Sequence, residues 1–393
     1  MVWVDKGIYF FLLAYAAMFS MSVPIANAAI DAAAVLAVVR IIYIRPRRMD
    51  LAVKRMLLIM AAYLAVITVT GLTATYDSSL SRPRIWEVCF PMVEAFVATT
   101  ALAADARRRN TLAAVAAVSI TVTSLYVIWQ GLHGELKAEG FLGTLNTAEH
   151  LGQMLLLLLV LGLEDRALSP AWRRLFVGAA VLSGVALLFN GTRGAWLAVA
   201  AALAGYLLAA GSSSWRRRAV AGLAALCLFA GVVMFQNTVR ERLFSAFQPH
   251  YISVSERFLM WQSAWHMFSD HPLLGVGPGN FQPLYRDKYI SPFSQEGPVH
   301  SHPHNIFLQT LAESGIAGGV AFFALWGTVF WHYWRRRRRQ PGDAWALAVP
   351  AAVAAFLLCG MTDDVLFHFM AGAEFAWFLI GLGWREPADP AGD

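Results

Sequence analysis

The sequence predicts an all-α integral membrane protein with about 12 transmembrane helices and one large polar loop late in the chain. Of its 393 residues, 58% are hydrophobic and only 14% are charged, whereas soluble domains carry roughly 25% charged residues. Its apolar runs approach the roughly 20 residues that cross a hydrocarbon core of about 30 Å. The spans are expected to be helical, because a helix satisfies its own backbone polar groups in lipid.

The apolar runs, taken in order, place the individual spans. We predict them at 7–25, 28–44, 56–73, 87–104, 111–129, 147–163, 174–190, 194–210, 219–236, 315–334, 344–361 and 368–384. The first run is followed by Ala26-Asn27-Ala28, which resembles a signal-peptidase site. We expect this span to be retained, because the segment before it holds a single lysine that Asp5 balances.

Basic residues occur in every second loop, so the formal net charge of +6 reflects topology and predicts no nucleic-acid partner. They lie at 45–48 with 54–55, 107–109, 166 with 173–174, 216–218 and 335–339. By the positive-inside rule these loops and both termini are cytoplasmic. The outer loops are then 74–86, 130–146, 190–194, 237–314 and 362–367. We divide the chain into spans one to nine (1–236), the large outer loop (237–314), and the last three spans with a short cytoplasmic tail (315–393).

The outer loop contains a predicted amphipathic helix and a glycine-rich turn. Ser253-Val254-Ser255-Glu256 matches a capping box, and aromatic residues then recur at helical spacing at Phe258, Trp261, Trp265 and Phe268. The helix is expected to end before Pro272. Its aromatic stripe rests either at the membrane interface or against the bundle, and we favour packing. The stretch 275–279 is predicted to be a tight turn, because it lacks the lysine of a phosphate-binding loop.

A second short helix is predicted from about His304 to Gly315, after three alternating histidines. His300, His302 and His304 share a face in an extended segment and offer metal ligands, but no Asp or Cys accompanies them in sequence and Pro303 disrupts the geometry. We therefore predict no metal site. For His304 two roles stay open: a core histidine bonded to backbone, or a base that takes a proton from an attacking hydroxyl.

Arginines in the outer loops form the next candidate set. Arg193, in Asn190-Gly191-Thr192-Arg193-Gly194, lies between two spans on the side where the positive-inside rule disfavours it. It either snorkels to the head groups or clamps an anion, and we favour the clamp, because guanidinium binds phosphate through two parallel hydrogen bonds. Arg82 and Arg84, which flank Pro83, are further candidates.

Acidic residues within or beside apolar spans are costly and often functional. Here they are Asp31, Glu87, Glu94, Asp363, Asp364 and Glu374. Solvation at the interface accounts for Asp31 and Glu87. Asp363 and Asp364 lie in a loop so short that they must face the external cavity, where they could orient His304 or an arginine. The cysteines Cys89, Cys227 and Cys359 show no metal or disulfide spacing.

Four ordered motifs carry a family resemblance. They are Thr192-Arg193-Gly194, then Arg257 with Trp261 and Ala264, then Pro272-Leu273-Leu274-Gly275-Val276-Gly277, and His304-Asn305 with Glu313-Ser314-Gly315. Together with the predicted topology over the full chain, this set resembles the O-antigen ligase and polymerase family of polytopic glycosyltransferases.

The resemblance implies a GT-C-like helical fold in the bacterial inner membrane, with the active site at the periplasmic face. It implies an inverting transfer, without a metal or other cofactor, of a glycan from undecaprenyl diphosphate to lipid A–core oligosaccharide, which completes lipopolysaccharide. His304 would act as general base, while Arg193 and Arg257 would neutralise the diphosphate. We expect further substrate contacts from Arg82, Arg84, Trp261, Asn305 and Asp363.

Alternative functions follow from the same residues. The motif set does not separate a ligase from an O-antigen polymerase or a protein O-oligosaccharyltransferase. A secondary transporter would use the intramembrane acids to carry ions, but it commonly shows inverted repeats, which the sequence lacks. Because nucleotide sugars and ATP are cytoplasmic, a transferase that works outside needs a donor already activated on a lipid carrier.

Overall fold

The computed structural model describes residues 2–44, 50–102, 105–135, 137–210, 240, 252–295, 297, 302–363 and 370–384. Some predicted features lie outside these ranges: span 219–236, basic segments 45–48 and 216–218, Cys227, His300 and Asp364. Cys89 and Cys359 are buried free thiols.

The described elements are helical. In chain order they are α1 (Val2–Met18), α2 (Val23–Ile44), α3 (Leu51–Leu72), α4 (Ser81–Thr100), α5 (Ala106–Leu132), α6 (Thr144–Glu164), α7 (Pro170–Asn190), α8 (Arg193–Ala209), α9 (Ile252–Asp270), α10 (Phe281–Leu284, continued by a π-helical turn at Tyr285–Tyr289), α11 (Ile306–Arg339), α12 (Trp345–Cys359) and α13 (Met370–Gly383).

Every predicted span except 219–236 overlaps a described helix. Several helices begin before the apolar run, because a polar cap and first turn precede it. Asp50 accepts a hydrogen bond from Ala52 N at the start of α3, and Asp105 caps α5 in the same way. Six described helices are long and apolar enough to cross a membrane, and three shorter apolar helices accompany them. The total of about 12 spans stays a prediction.

Helix α6 lies at the centre of the bundle, with 78% of its most apolar window buried. It packs against α7, α8 and α12, and α12 in turn packs along α8. Helix α13 packs on α4, while α11 contacts both α3 and α9. The ends of α8, α11 and α12 are thereby brought together.

The segments predicted to lie outside meet at one end of this bundle. Thr75 N donates a hydrogen bond to Val276 O at 3.2 Å, and Asn190 Nδ2 donates to Ala138 O at 2.8 Å. At the other end, Arg173 Nε donates to Gly162 O at 3.0 Å, across the predicted cytoplasmic loop between α6 and α7. The contacts at the first end therefore agree with the grouping of outer loops that the charge pattern predicts.

Helix α9 ends at Asp270, before Pro272, as predicted. Its buried face contains Glu256, Met260, Ala264 and Met267. Phe258 and Trp265 are instead 60% and 52% exposed, so the expectation that the aromatic stripe packs against the bundle is wrong for these two. The less bulky Met and Ala side chains fill the narrow contact with α10 and α11.

Glu256, the last residue of the predicted capping box, is bonded to a distant part of the outer loop, and the Ser253 side chain lies outside the described part of the structure. The carboxylate of Glu256 accepts hydrogen bonds from Ser294 Oγ at 2.7 Å and from Gln295 N at 2.6 Å. Glu256 therefore anchors the later part of the loop to α9.

The glycine-rich turn and the break at Gly315 pack against each other, backbone to backbone. Gly275 and Gly315 have positive φ values of 67° and 61°. A side chain on Gly275 would overlap the backbone of Glu313 and Ser314, and one on Gly315 would overlap Leu273. Only glycine meets both requirements. The predicted turn is confirmed, and Gly315 interrupts the helical geometry inside α11 where the sequence predicted a helix end.

Glu313 connects these two packed segments to the start of α10. Its buried Oε1 accepts hydrogen bonds from Gly279 N at 3.0 Å and from Phe281 N at 3.2 Å. Gly277 N donates to Glu313 O, and Ile316 N donates to Pro272 O, both at 2.8 Å. The loop is thus fixed onto the first turns of α11, next to His304.

Candidate active site

His304 lies in the short segment that leads into α11 and is held in a strained conformation. Its φ of 52° is in the left-handed region, which costs of order 1 kcal/mol or more for a residue with a side chain. Asn305 caps α11: its Oδ1 accepts hydrogen bonds from Phe307 N and Leu308 N, and its Nδ2 donates to Met361 O at 3.2 Å. Asn305 therefore fixes His304 against the segment after α12.

Asp363 is the direct partner of His304. Nδ1 of His304 lies 2.9 Å from Oδ1 of Asp363, and the two residues are 59 positions apart in sequence. Both side chains are mostly enclosed, with 22% and 17% of their surface exposed. This is the arrangement in which a carboxylate orients a histidine.

Two further groups surround the Asp363 carboxylate. Arg257 Nη2 lies 3.8 Å from Oδ2, and His302 Nε2 lies 3.8 Å from Oδ1. The rings of His302 and His304 contact each other with centroids 4.3 Å apart. The fold therefore assembles α9, the start of α11 and the segment after α12 around one carboxylate.

The charge state of Asp363 follows from these neighbours. Burial by itself raises the pKa of its carboxyl, but interactions with His302 and His304, and the charge of Arg257, outweigh burial and hold that pKa well below its usual range. Asp363 is thus an anion at neutral pH. An ionised carboxylate only accepts hydrogen bonds, so Nδ1 of His304 is the donor in this pair, and in that tautomer Nε2 carries the lone pair.

Arg193 is the first residue of α8, and hydrogen bonds of Asn190 hold the turn that precedes it. Asn190 is fully buried; its Nδ2 donates to Ala138 O at 2.8 Å and to Thr144 O at 2.9 Å. Its Oδ1 accepts from Thr192 Oγ1 at 2.6 Å. Gly191 ends α7 in the left-handed conformation, as the predicted turn requires, so the backbone that carries Arg193 is held at both sides.

The turn between α7 and α8 also contacts the segment that holds Asp363. A β-carbon on Gly194 would overlap the Thr362 side chain, so the start of α8 lies directly against the residue before Asp363. Arg193 is therefore carried on a backbone segment that adjoins the carboxylate cluster.

The other residues predicted to contact substrate, Arg82, Arg84 and Trp261, have no direct contact with Asp363 among those described above. Arg82 is exposed at the start of α4, and Arg84 forms an ion pair with Glu87 at 3.0 Å. Trp261 is half-buried one turn after Arg257 and meets Phe258 edge-on, with ring centroids 5.2 Å apart. Their contacts with substrate stay predictions, whereas His304, Asp363, Arg257 and Asn305 are brought together directly.

The sequence reasoning missed a polar turn of α6 near the site. Gln153 Nε2 donates to Gly372 O at 3.0 Å, and His150 Nε2 lies 3.2 Å from Ala371 O. The Glu149 side chain packs against Gly372, at the start of α13. The available signal was a Glu-His pair with a Gln three residues later, inside an otherwise apolar span.

A metal ion has one candidate position in the described part of the chain. Ligand atoms of His302, His304 and Asp363 all lie within 4.8 Å of one another. The expectation that no carboxylate accompanies the histidines is wrong in space, because Asp363 arrives from a different helix end. The predicted absence of a metal in the reaction stays a prediction, which chelation tests.

Comparisons with known proteins found similarity to O-antigen ligases. A family model described as O-Antigen ligase matches residues 178–323, the range that holds Arg193, Arg257 and His304. A curated O-antigen ligase from Pseudomonas aeruginosa is 27% identical over 276 residues, which cover 69% of this chain and 61% of the relative. The match thus spans less than two thirds of the relative's length. These two findings support the assignment of this chain to the O-antigen ligase family.

Proposed function

We propose that this chain is an O-antigen ligase, an inverting glycosyltransferase that moves a glycan from undecaprenyl diphosphate to lipid A–core oligosaccharide at the periplasmic face of the inner membrane. The hydrogen bond of 2.9 Å between His304 Nδ1 and Asp363 carries the proposal. It supplies a base of fixed tautomer at the end of the bundle where the predicted outer loops meet.

In the proposed reaction, His304 Nε2 accepts the proton of the acceptor hydroxyl. The hydroxyl oxygen then forms a bond to the anomeric carbon of the donor sugar, while the bond from that carbon to the diphosphate oxygen breaks. Attack opposite the leaving group inverts the configuration. Asp363 stabilises the imidazolium that forms, and a positioned base of this kind contributes about 10²–10⁴-fold.

The departing diphosphate needs positive charge, which Arg257 and Arg193 are suited to supply. The 3.8 Å spacing between Arg257 and Asp363 exceeds hydrogen-bond length, so the guanidinium stays close to the base while its donors are able to reach a phosphate. Fixed cations that stabilise developing charge are worth about 10²–10³-fold each. They allow the transfer to proceed without a metal.

Reconstitution tests the proposal. The full chain in lipid bilayers would be given a glycan on undecaprenyl diphosphate and purified lipid A–core, with and without EDTA. We expect glycan on lipid A–core in both conditions, and none from His304→Ala. His266→Ala, which changes an exposed histidine on α9, is the matched control and should stay active.

Other products would identify a related activity. Chain growth on the lipid carrier would assign the protein as a polymerase, and glycan on an added protein acceptor would assign it as a protein O-oligosaccharyltransferase. Loss of transfer with EDTA, restored by Mg²⁺ or Mn²⁺, would refute the metal-independent mechanism. Full activity of His304→Ala would refute the role of His304 as the general base.

A further inference from the structure

A second histidine is held at the carboxylate that orients His304, although a general base needs only one. Nε2 of His302 lies 3.8 Å from Oδ1 of Asp363, the same oxygen that lies 2.9 Å from Nδ1 of His304. The His302 residue is buried, and its ring contacts the ring of His304. Two imidazole nitrogens and one carboxylate oxygen, brought from two different helix ends, therefore converge on one point.

The distances within this triad suit a small ion that takes nitrogen and oxygen ligands. Ligand atoms of the three residues all lie within 4.8 Å of one another. Zinc is bound tetrahedrally at about 2.0–2.2 Å by histidine nitrogen and carboxylate oxygen, so two of its ligand atoms lie about 3.3 Å apart. The observed separations of 2.9 Å and 3.8 Å fall on either side of that value. Side-chain shifts of about 0.5 Å therefore convert the triad into a set of zinc ligands.

The chemistry of the donors selects the kind of ion. Imidazole suits Zn²⁺ and other late transition metals, whereas Mg²⁺ and Ca²⁺ prefer oxygen ligands alone. Two histidines with one carboxylate thus favour Zn²⁺ over Mg²⁺, and they leave one tetrahedral position for water. Arg257 Nη2 lies 3.8 Å from the other carboxylate oxygen, Oδ2. Its positive charge repels a bound cation, so we expect the ion to exchange with solvent.

We propose that His302, His304 and Asp363 bind Zn²⁺, and that the bound ion inhibits glycan transfer by changing the tautomer of His304. The binding site follows from the geometry of the triad, while the inhibition rests on the proposed function of His304 as the base. The ion takes no part in the transfer reaction.

The inhibition follows from the position of one proton. Without the ion, Nδ1 of His304 donates to Asp363 and Nε2 carries the lone pair. Zinc bound at Nδ1 uses the lone pair of that nitrogen, so the ring proton moves to Nε2. The ring stays neutral, but Nε2 is now a donor and does not take a proton from the acceptor hydroxyl. Removal of the ion returns the proton to Nδ1.

Metal binding to the full chain tests the site without reference to activity. Protein in detergent, stripped of metal by EDTA, would be dialysed against Zn²⁺ with and without a large excess of Mg²⁺, and bound zinc would be measured by mass spectrometry. We expect Zn²⁺ to be retained in both conditions. His302→Ala and His302→Gln should each lower the zinc affinity at least about tenfold, because each removes a ligand. His266→Ala, which changes an exposed histidine on α9, is the matched control and should keep the wild-type affinity.

A spectroscopic measurement on the wild type does not depend on how a variant folds. Co²⁺ in a four-coordinate site absorbs visible light strongly, whereas hydrated, six-coordinate Co²⁺ absorbs weakly. We expect the strong absorption when Co²⁺ is titrated into the chain and its loss when Zn²⁺ is added. The weak spectrum alone, or an unchanged zinc affinity in both His302 variants, would overturn the site.

The reconstituted transfer assay tests the inhibition. Saturating Zn²⁺ should lower transfer by about 10²-fold or more, since a positioned base contributes at least that much. EDTA should restore the rate, and Mg²⁺ should not lower it. Zinc binding that leaves transfer unchanged would overturn the inhibition. A chain that binds zinc but transfers no glycan in zinc-free buffer would count against the proposed function, while the binding measurements would still support the zinc site.

Discussion

Gly194, which follows Arg193 at the start of α8, lies directly against Thr362, which precedes Asp363. The hydroxyl of Thr362 donates to Cys359 O at 3.1 Å, so the side chain that Gly194 meets is itself held in place. This contact connects the proposed anion clamp to the proposed base across a long separation in sequence.

Gly194→Ala should therefore displace the start of α8 from the Asp363 segment. Because a misplacement of about 1 Å costs up to roughly 10²-fold in rate, we expect kcat for glycan transfer to fall about 10–100-fold. Adding Thr362→Ala should restore part of the loss by making room. Gly205→Ala on the same helix, where a β-carbon meets open space, should stay active. Equal activity of the two glycine variants would argue against this coupling.

Asp363→Asn tests the orientation of the base. The amide no longer holds the proton on Nδ1 of His304, so kcat should fall roughly 10²–10⁴-fold while the protein stays folded. Asp270→Asn, which alters an exposed carboxylate bonded to Tyr289 and Lys288, provides the control in the same reconstituted assay. Near-normal turnover by Asp363→Asn would show that the pairing with His304 is structural.

The stability contributed by Asp363 should depend on pH in one direction. Its pKa is depressed in the folded chain, so ionisation stabilises the fold above the unfolded pKa of about 3.9 and this contribution is lost as the pH falls through the folded pKa. The advantage of the wild type over Asp363→Asn should not decrease between pH 8 and pH 5, and it should shrink below about pH 3.9. Thermal unfolding across this range measures it, and a loss of the advantage near pH 6 would contradict the assignment.

The left-handed backbone of His304 separates its catalytic role from its structural role. His304→Ala and His304→Gly should both lack transfer activity. Glycine adopts a φ of 52° without the steric penalty, so the glycine variant should be the more stable of the two by roughly 1 kcal/mol. Denaturation of both variants in the same detergent gives the comparison. A less stable glycine variant would show that His304 is not strained there.

Arg257→Lys and Arg193→Lys test whether the arginines bind the diphosphate. Lysine keeps the charge but loses the two parallel hydrogen bonds of guanidinium, so each change should lower kcat/KM about tenfold or more. Arg286→Lys, in an exposed pair with Asp287, should be neutral. Wild-type rates in both site variants would leave the arginines with structural roles.

Much of the fold was predictable because its signals are local. Apolar runs predicted the described helices, and the alternation of basic loops predicted which segments meet at one end. The glycines themselves predicted the tight turn at Gly275 and the break at Gly315, since glycine readily adopts the positive φ that each position has. The exposed position of Phe258 and Trp265 was not predictable, because helical spacing identifies a stripe without saying which neighbour the helix has.

The sequence by itself determined that this chain is a helical membrane protein, and it predicted that the outer loops carry the chemistry through His304, Arg193 and Arg257. Only the tertiary structure decided that Asp363 is the partner of His304 and that Asn305 caps a helix. Such pairings depend on how helix ends far apart in sequence pack together, and no local pattern encodes that distance.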